Sequence, residues 1–201
     1  MKIVLATTNK GKIQEIKKLL QDYDLTLLSL KDFKLGPIPE TGKTFKENAL
    51  LKARTVSEKT GEIALADDSG LVVPYLNGEP GVYSARYSGD NATDAQNNAK
   101  LLKKLKNTSL KDRQAFFICV IALWTPGGKH FCVEGKWEGF IATHPKGEHG
   151  FGYDPIFVDK QTGLHAAQLS LEQKNKISHR AKALQAFLKK WPEFLKNLKE
   201  S

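Results

Sequence analysis

The run Ala115-Phe116-Phe117-Ile118-Cys119-Val120-Ile121-Ala122-Leu123-Trp124 constrains the fold more than any other segment of the chain. A stretch this apolar reads as a strand covered on both faces, and therefore as a central member of its sheet. It falls well short of the roughly 18 residues that a membrane span needs, and no other apolar run comes closer.

The segments around it supply both helices and further strands. Ile3 to Ala6 is a short apolar strand that breaks into Thr7-Thr8-Asn9-Lys10-Gly11-Lys12, after which Ile13, Ile16, Leu19 and Leu20 recur at helical spacing. A second strand is predicted over residues 25–30, and residues 31–43, with Gly36, Pro37, Pro39 and Gly42, read as loop. From Thr44 to about Lys59 the pattern is helical, with Thr44 and Glu47 forming a capping box and Gly61 as the stop. Ile63 to Ala66 is a strand that ends abruptly in Asp67-Asp68-Ser69-Gly70, with extended structure resuming at Leu71 to Leu76. A loop over 78–89 leads to a helix over 94–105. Pro126-Gly127-Gly128 turns the chain into a strand over 129–134, and another strand is predicted over 137–142. Residues 143–155 are rich in Gly, His and Pro, 156–158 is strand-like, and 177–191 is a closing amphipathic helix. Helices interleaved with strands at both ends, around a hairpin-rich middle, predict a mixed α/β fold. With no repeat or linker in evidence, residues 1–201 are read as one domain.

Composition narrows the functional classes. The chain is 40% hydrophobic and 26% charged, as a soluble globular protein is. The N-terminus has too few apolar residues for a secretory signal, so a cytoplasmic location and no membrane association are expected. Cys119 and Cys132 show neither C-x-x-C nor zinc spacing and read as buried free thiols. A net charge of +9 admits two readings: a nucleic-acid binder, or a pocket for a small polyanion beneath a lysine-rich surface. Lys100, Lys103, Lys104 and Lys106, and Lys182, Lys189 and Lys190, lie on amphipathic stretches, as solvated helix faces do. No arginine-rich run or RNA-binding aromatic strand motif is present, so no stable nucleic-acid partner is expected.

Five clusters carry candidate chemistry. The turn Thr7 to Lys12 brings hydroxyl, amide and ammonium groups to a helix start, where backbone N–H groups favour an anion. It lacks the Walker A spacing, and a simple capped turn is its alternative. Asn48 and Lys52 are four apart on one helix, with Glu40 just upstream, and suit phosphate recognition unless that face is merely solvated. Asp67 and Asp68 are adjacent carboxylates that a hard cation such as Mg²⁺ could relieve, although Asp-Asp-Ser-Gly also makes turns. In an extended segment their side chains would point to opposite faces. In Phe151-Gly152-Tyr153-Asp154, glycines on both sides leave Phe151 free to lie against a flat ring. Lys174, His179 and Arg180 place donors around the start of the last helix, which is unfavourable without a nearby anion.

Taken together these motifs resemble the inosine triphosphate pyrophosphatase family: T-x-N-x-x-K, E-x-G-x-T-F-x-E-N-A-x-x-K-A, A-D-D-S-G-L, P-G-V-Y-S-A-R-Y-S-G, F-G-Y-D-P-I-F and S-H-R. The resemblance runs from about Lys2 to Leu188. It implies an elongated mixed α/β fold with flanking helices, two lobes around a central substrate cleft, and a homodimer. It implies hydrolysis of inosine- and xanthosine-type nucleoside triphosphates to the monophosphate and pyrophosphate, with Mg²⁺, one or more per subunit. By the same resemblance, Asp68 is the catalytic and metal-linked aspartate and Glu40 a second metal carboxylate. Thr7, Thr8, Asn9, Lys10, Gly11, Lys12, Asn48, Lys52 and Ser69 would receive the phosphates. Phe151, Gly152, Tyr153, Asp154, Lys174, His179 and Arg180 would form the base and ribose pocket. His149 departs from the pattern, which has glycine there. Pyrophosphatases of the Maf type share the strand–turn–helix start, but the Asp-Asp-Ser-Gly and Ser-His-Arg motifs argue against that group.

Overall fold

The structure, a computed structural model, describes residues 1–199. It divides into two compact units. The first contains Met1–Asp68, Cys119–Gly135 and the segment from Arg180 onward; the second contains Ser69–Ile118 and Lys136–His179.

The first unit opens with β1 (Lys2–Leu5), α1 (Lys10–Leu19), β2 (Thr26–Ser29), α2 (Phe45–Thr60) and β3 (Ile63–Val72). β1 pairs in parallel with both β2 and β3, Val4 standing opposite Leu28 on one side and Ala64 on the other. Both helices start on side-chain caps. Asn9 Oδ1 accepts from Lys12 N at 3.0 Å, and Thr44 Oγ1 accepts from Glu47 N at 3.1 Å while Glu47 Oε2 accepts from Thr44 N. α2 ends on Gly61 with φ of 68°, the left-handed cap that glycine adopts without strain. Alternation along the strands divides the core in two. Ile3, Leu5, Cys119, Ile121 and Leu123 pack with Ile16 and Leu20 of α1 and with Phe187 and Trp191 of α5 (His179–Lys199). Val4, Ala6, Val120 and Ala122 face Ala49, Ala53 and Val56 of α2. β4 (Gln114–Trp124) is therefore buried on both faces here, as its apolar run predicts.

The second unit is built on α3 (Asp94–Lys104), β6 (Phe157–Asp159) and α4 (Leu171–Ile177), with the adjoining parts of β3, β4 and β5 (His130–Ile141). Its core gathers Leu71, Leu101, Leu105, Ala115, Phe117, Trp137, Ile141, Tyr153 and Phe157. Arg113, 2% exposed, donates to the carbonyl oxygens of Ile141 and Ala142 and to that of Leu105, tying the end of α3 to the end of β5. The strands follow one another in a six-stranded mixed sheet of order β2-β1-β3-β4-β5-β6, with β5 and β6 antiparallel. Among the described residues no helix is long and apolar enough to cross a membrane.

Four sequence expectations change. Asp67-Asp68-Ser69-Gly70 is not a break: β3 runs through it, because each aspartate finds a cation to face, and tertiary contacts override turn propensity. The two strands expected over 129–142 are one, since Gly135 keeps its place in β5. The closing helix expected over 177–191 is found as α5, starting at His179, but an unexpected short helix, α4, precedes it and is parted from it at Ser178 with ψ of 160°. β2 ends at Ser29, because Asp32 Oδ2 accepts from Ser29 N at 2.7 Å and draws Leu30–Phe33 into a 3₁₀ turn.

Gly139 has no room for a side chain. A Cβ there would run into the Val158 carbonyl oxygen and stand 2.5 Å from Phe157 Cζ. Gly139→Ala is expected to cost about 1–3 kcal/mol by overpacking, read as a lower urea midpoint; an unchanged midpoint would contradict this packing.

Candidate active site

β3 delivers the two carboxylates. Successive strand residues face opposite ways, and Asp67 and Asp68 accordingly belong to different networks within the first unit. Asp67 is 1% exposed. Its Oδ1 meets Lys12 Nζ at 2.6 Å, and its Oδ2 accepts from Arg180 Nε at 2.6 Å and from the Cys119 thiol at 3.1 Å. Arg180 Nη1 in turn donates to Glu15. The chain Lys12, Asp67, Arg180, Glu15 alternates in charge, which is how buried ions are tolerated. Burial opposes ionisation of Asp67, but the Arg180 guanidinium and the Lys12 ammonium outweigh it and hold the carboxyl well below its ordinary range. Burial and the neighbouring Asp67 push the Cys119 thiol well above its ordinary range, so it stays protonated and donates.

Asp68 faces α2. Lys52, 5% exposed, donates to Asp68 Oδ1 at 2.9 Å, Glu40 Oε1 at 2.6 Å and the Asp67 carbonyl oxygen at 2.8 Å. Those three bonds use the three N–H groups of its ammonium. Burial alone would lower the Lys52 pKa, but the two carboxylates raise it. Asp68 behaves in the opposite way. Burial and the nearby Glu40 charge push its carboxyl up to about 6 despite Lys52 and Lys12. Its Oδ2 is buried with no hydrogen-bond donor facing it. A buried acceptor without a donor, on a raised carboxyl beside a second, half-buried carboxylate, fits a hard cation. Mg²⁺ typically takes one or two carboxylates and completes its shell with water and phosphate. Among the described residues there is no group of three acidic, His or Cys side chains placed to cage a metal by themselves.

Around these carboxylates the first unit supplies a helix start, whose backbone N–H groups favour an anion. Thr8, Asn9 and Lys10 are exposed and Thr7, Gly11 and Lys12 half-buried, at the N-terminus of α1, whose first turn contains no acidic residue. Thr7 Oγ1 accepts from Asn9 N at 3.2 Å, which shapes the turn. Asn48 is fully buried, its Oδ1 accepting from Gly42 N at 2.7 Å while Nδ2 has no acceptor. The Asn48–Lys52 face is thus no solvated surface. By contrast Lys103, Lys106, Lys182, Lys189 and Lys190 are exposed on the outer faces of α3 and α5 or just past them, as solvated lysines are.

The remaining candidates lie in the second unit. Ser69 is half-buried in β3. Asp154 Oδ2 accepts from Phe151 N at 2.9 Å and from Lys174 Nζ at 2.5 Å, and Lys174 Nζ stands 4.9 Å from the centroid of the Phe151 ring. Asp154 therefore shapes the loop and holds the lysine. Tyr153 is 4% exposed and donates its hydroxyl to the Ser84 carbonyl oxygen. His179 stacks on Phe117, centroids 4.7 Å apart and planes 12° apart. His149, the departure from the family pattern, carries no strain: it is not among the residues with left-handed φ, and its N–H donates to the Ala167 carbonyl oxygen.

The sequence reading singled out Asp67 only as half of a pair and passed over Glu15. A signal was present: Lys12 and Glu15 are three apart and so share a face of α1, at the same turn that was read as an anion site. The anion expected beside Arg180 proves to include two of the protein's own carboxylates, Asp67 and Glu15.

A model of the Ham1 family matches residues 3–190. The chain is 55% identical to a dITP/XTP pyrophosphatase of Nitratidesulfovibrio vulgaris, covering 96% of each chain. It is 53% identical to a dITP/XTP pyrophosphatase of Geobacter sulfurreducens, covering 91% of this chain and 92% of the relative. Among solved structures it superposes on a HAM1 protein from Coxiella burnetii with a TM-score of 0.88 at 45% identity, covering 96% of this chain and 99% of that one.

The buried charge chain gives a stability expectation. Arg180→Met leaves Asp67 and Glu15 without their shared cation and is expected to cost about 3–5 kcal/mol. Denaturant unfolding measures it, and a loss under about 1 kcal/mol would show that the guanidinium is not what carries these carboxylates.

Proposed function

The chain belongs to the Ham1 family, and from that premise we propose that it hydrolyses inosine- and xanthosine-type purine nucleoside triphosphates to the monophosphate and pyrophosphate, clearing them before they enter DNA or RNA. The observation that carries the chemical part is Asp68, a buried carboxyl raised to about 6 with one oxygen lacking any donor. A general base is most effective when its pKa lies near the working pH. Asp68 accepts the proton of the water that attacks the α-phosphorus. Lys52, with its N–H groups already committed, fixes Asp68 and Glu40 and contributes its charge. Lys12, the start of α1 with Thr7, Thr8, Asn9, Lys10 and Gly11, and Asn48 Nδ2 receive phosphate oxygens. Glu40 and Asp68 would hold Mg²⁺, which when bound supplies charge neutralisation at the leaving pyrophosphate.

The second unit reads the base. Ser69 is read as a phosphate contact at the start of that unit. Phe151 offers a ring face to a purine, with Gly152, Tyr153 and Asp154 forming the loop that carries it and Lys174 and His179 as donors, while Arg180, in the first unit, is committed to Asp67 and Glu15 through Nε and Nη1. Hypoxanthine and xanthine present an O6 acceptor where adenine presents an amino donor. A buried donor facing that amino group would discriminate by up to roughly 10⁴-fold. The family premise also supports a homodimer, a cytoplasmic location and one catalytic domain over residues 1–201; light scattering tests the first.

Incubation of the purified protein with dITP and Mg²⁺ is expected to release dIMP and pyrophosphate, not orthophosphate. Turnover should stop with EDTA, and ATP should be a poor substrate. Equal rates on ATP and dITP would reject the selectivity. Asp68→Asn is expected to lower kcat by at least about 10²-fold while nucleotide binding persists; unchanged turnover would remove Asp68 from the role of base.

A further inference from the structure

We propose that Asp94 and Asn98 of α3 are positioning residues that grip the base-reading loop through the two backbone polar groups of Gly152. Both side chains reach the same residue. Gly152 N donates to Asp94 Oδ2 at 2.7 Å, and Asn98 Nδ2 donates to the Gly152 carbonyl oxygen at 3.1 Å. They are four apart and so lie one turn from each other on one face of α3.

Two further observations show that the grip is built. Asn98 is 8% exposed, and its Oδ1 is buried without a donor, so the orientation of the amide is set by Gly152. An orphaned buried acceptor costs free energy, and burial of an asparagine is tolerated for the bond that its other end makes. Gly152 itself has φ of 63°, while nothing stands within 4 Å of where a Cβ would be. The glycine thus serves the backbone turn that presents its N–H and carbonyl to α3, not a lack of space. Asn97, between the two, uses the same device on another segment, accepting from Ser88 N at 2.8 Å and donating to the Ala85 carbonyl oxygen at 3.2 Å.

The consequence falls on Phe151. It adjoins Gly152, and its own N–H is held by Asp154, so the loop is fixed from inside by Asp154 and from outside by α3. Rotation at Gly152 would swing the Phe151 ring away from the Lys174 ammonium. The functional part of this inference rests on the reading of Phe151 and Lys174 as base-recognition residues.

Three variants separate positioning from general support. Asn98→Asp is isosteric but sets an acceptor against the Gly152 carbonyl, and Asp94→Ala removes the acceptor of its N–H. Both are expected to raise KM for dITP by about tenfold with kcat within twofold. Asp94→Asn keeps an oxygen acceptor and is expected to return KM to within twofold. Inhibition by inorganic tripolyphosphate, which has no base, should be unchanged in all three. An unaltered KM overturns the proposal, and so does a parallel loss of tripolyphosphate inhibition. If the wild-type protein leaves dITP intact, the pyrophosphatase reading fails instead. The grip is then judged by hydrogen exchange over residues 150–154: faster exchange in Asp94→Ala supports it, and unchanged protection overturns it.

Discussion

Two aspartates side by side on one buried strand would repel each other and the core unless each were met by its own cation. The pleat of β3 makes this possible by sending Asp67 and Asp68 to opposite faces. Asp67 is met by Lys12 from the start of α1 and by Arg180 from the start of α5; Asp68 is met by Lys52 from α2. Each helix of the first unit is thereby registered on the strand through one charged side chain. The same arrangement sets two carboxylates at different protonation tendencies a single residue apart. Asp67, with two cations against it, is fixed as an anion, whereas Asp68 shares one lysine with Glu40 and is pushed upward.

Much of this was legible before any coordinates. The double burial of β4 followed from its unbroken apolar run, and the start and stop of α2 from Thr44, Glu47 and Gly61, because capping chemistry is local. What escaped was non-local. Nothing within Asp67-Asp68-Ser69-Gly70 announces a strand; only Lys12, Lys52 and Arg180, distant in sequence, make one affordable. The short helix α4 is the exception, because its capping box, Ser170 with Gln173, is local. The candidate site residues stand out as a set through the family motifs, but the partners they find in the structure do not. Arg180 reads as a donor for a ligand until Glu15 and Asp67 are seen to occupy its Nη1 and Nε.

The second unit uses buried polarity differently. There the polar side chains serve backbone groups of loops: Arg113 collects carbonyl oxygens at the ends of α3 and β5, Asn97 the Ala85–Ser88 segment, Asp154 the N–H of Phe151. A loop rich in glycine has many accessible conformations, and such bonds select among them. Glycines supply the turns and asparagines or aspartates hold them, so the loop can be both sharply bent and reproducible in shape.

Lys52 has one consequence of its own. An ammonium whose every hydrogen is already given away cannot greet an incoming anion by simple addition. Any phosphate oxygen that bonds to it must displace Glu40, Asp68 or the Asp67 carbonyl, and the carboxylate set free would be turned loose just where a divalent ion could capture it. On the proposed function, arrival of nucleotide and metal at this corner would then be a single exchange of partners, in which each newcomer vacates the place the other needs.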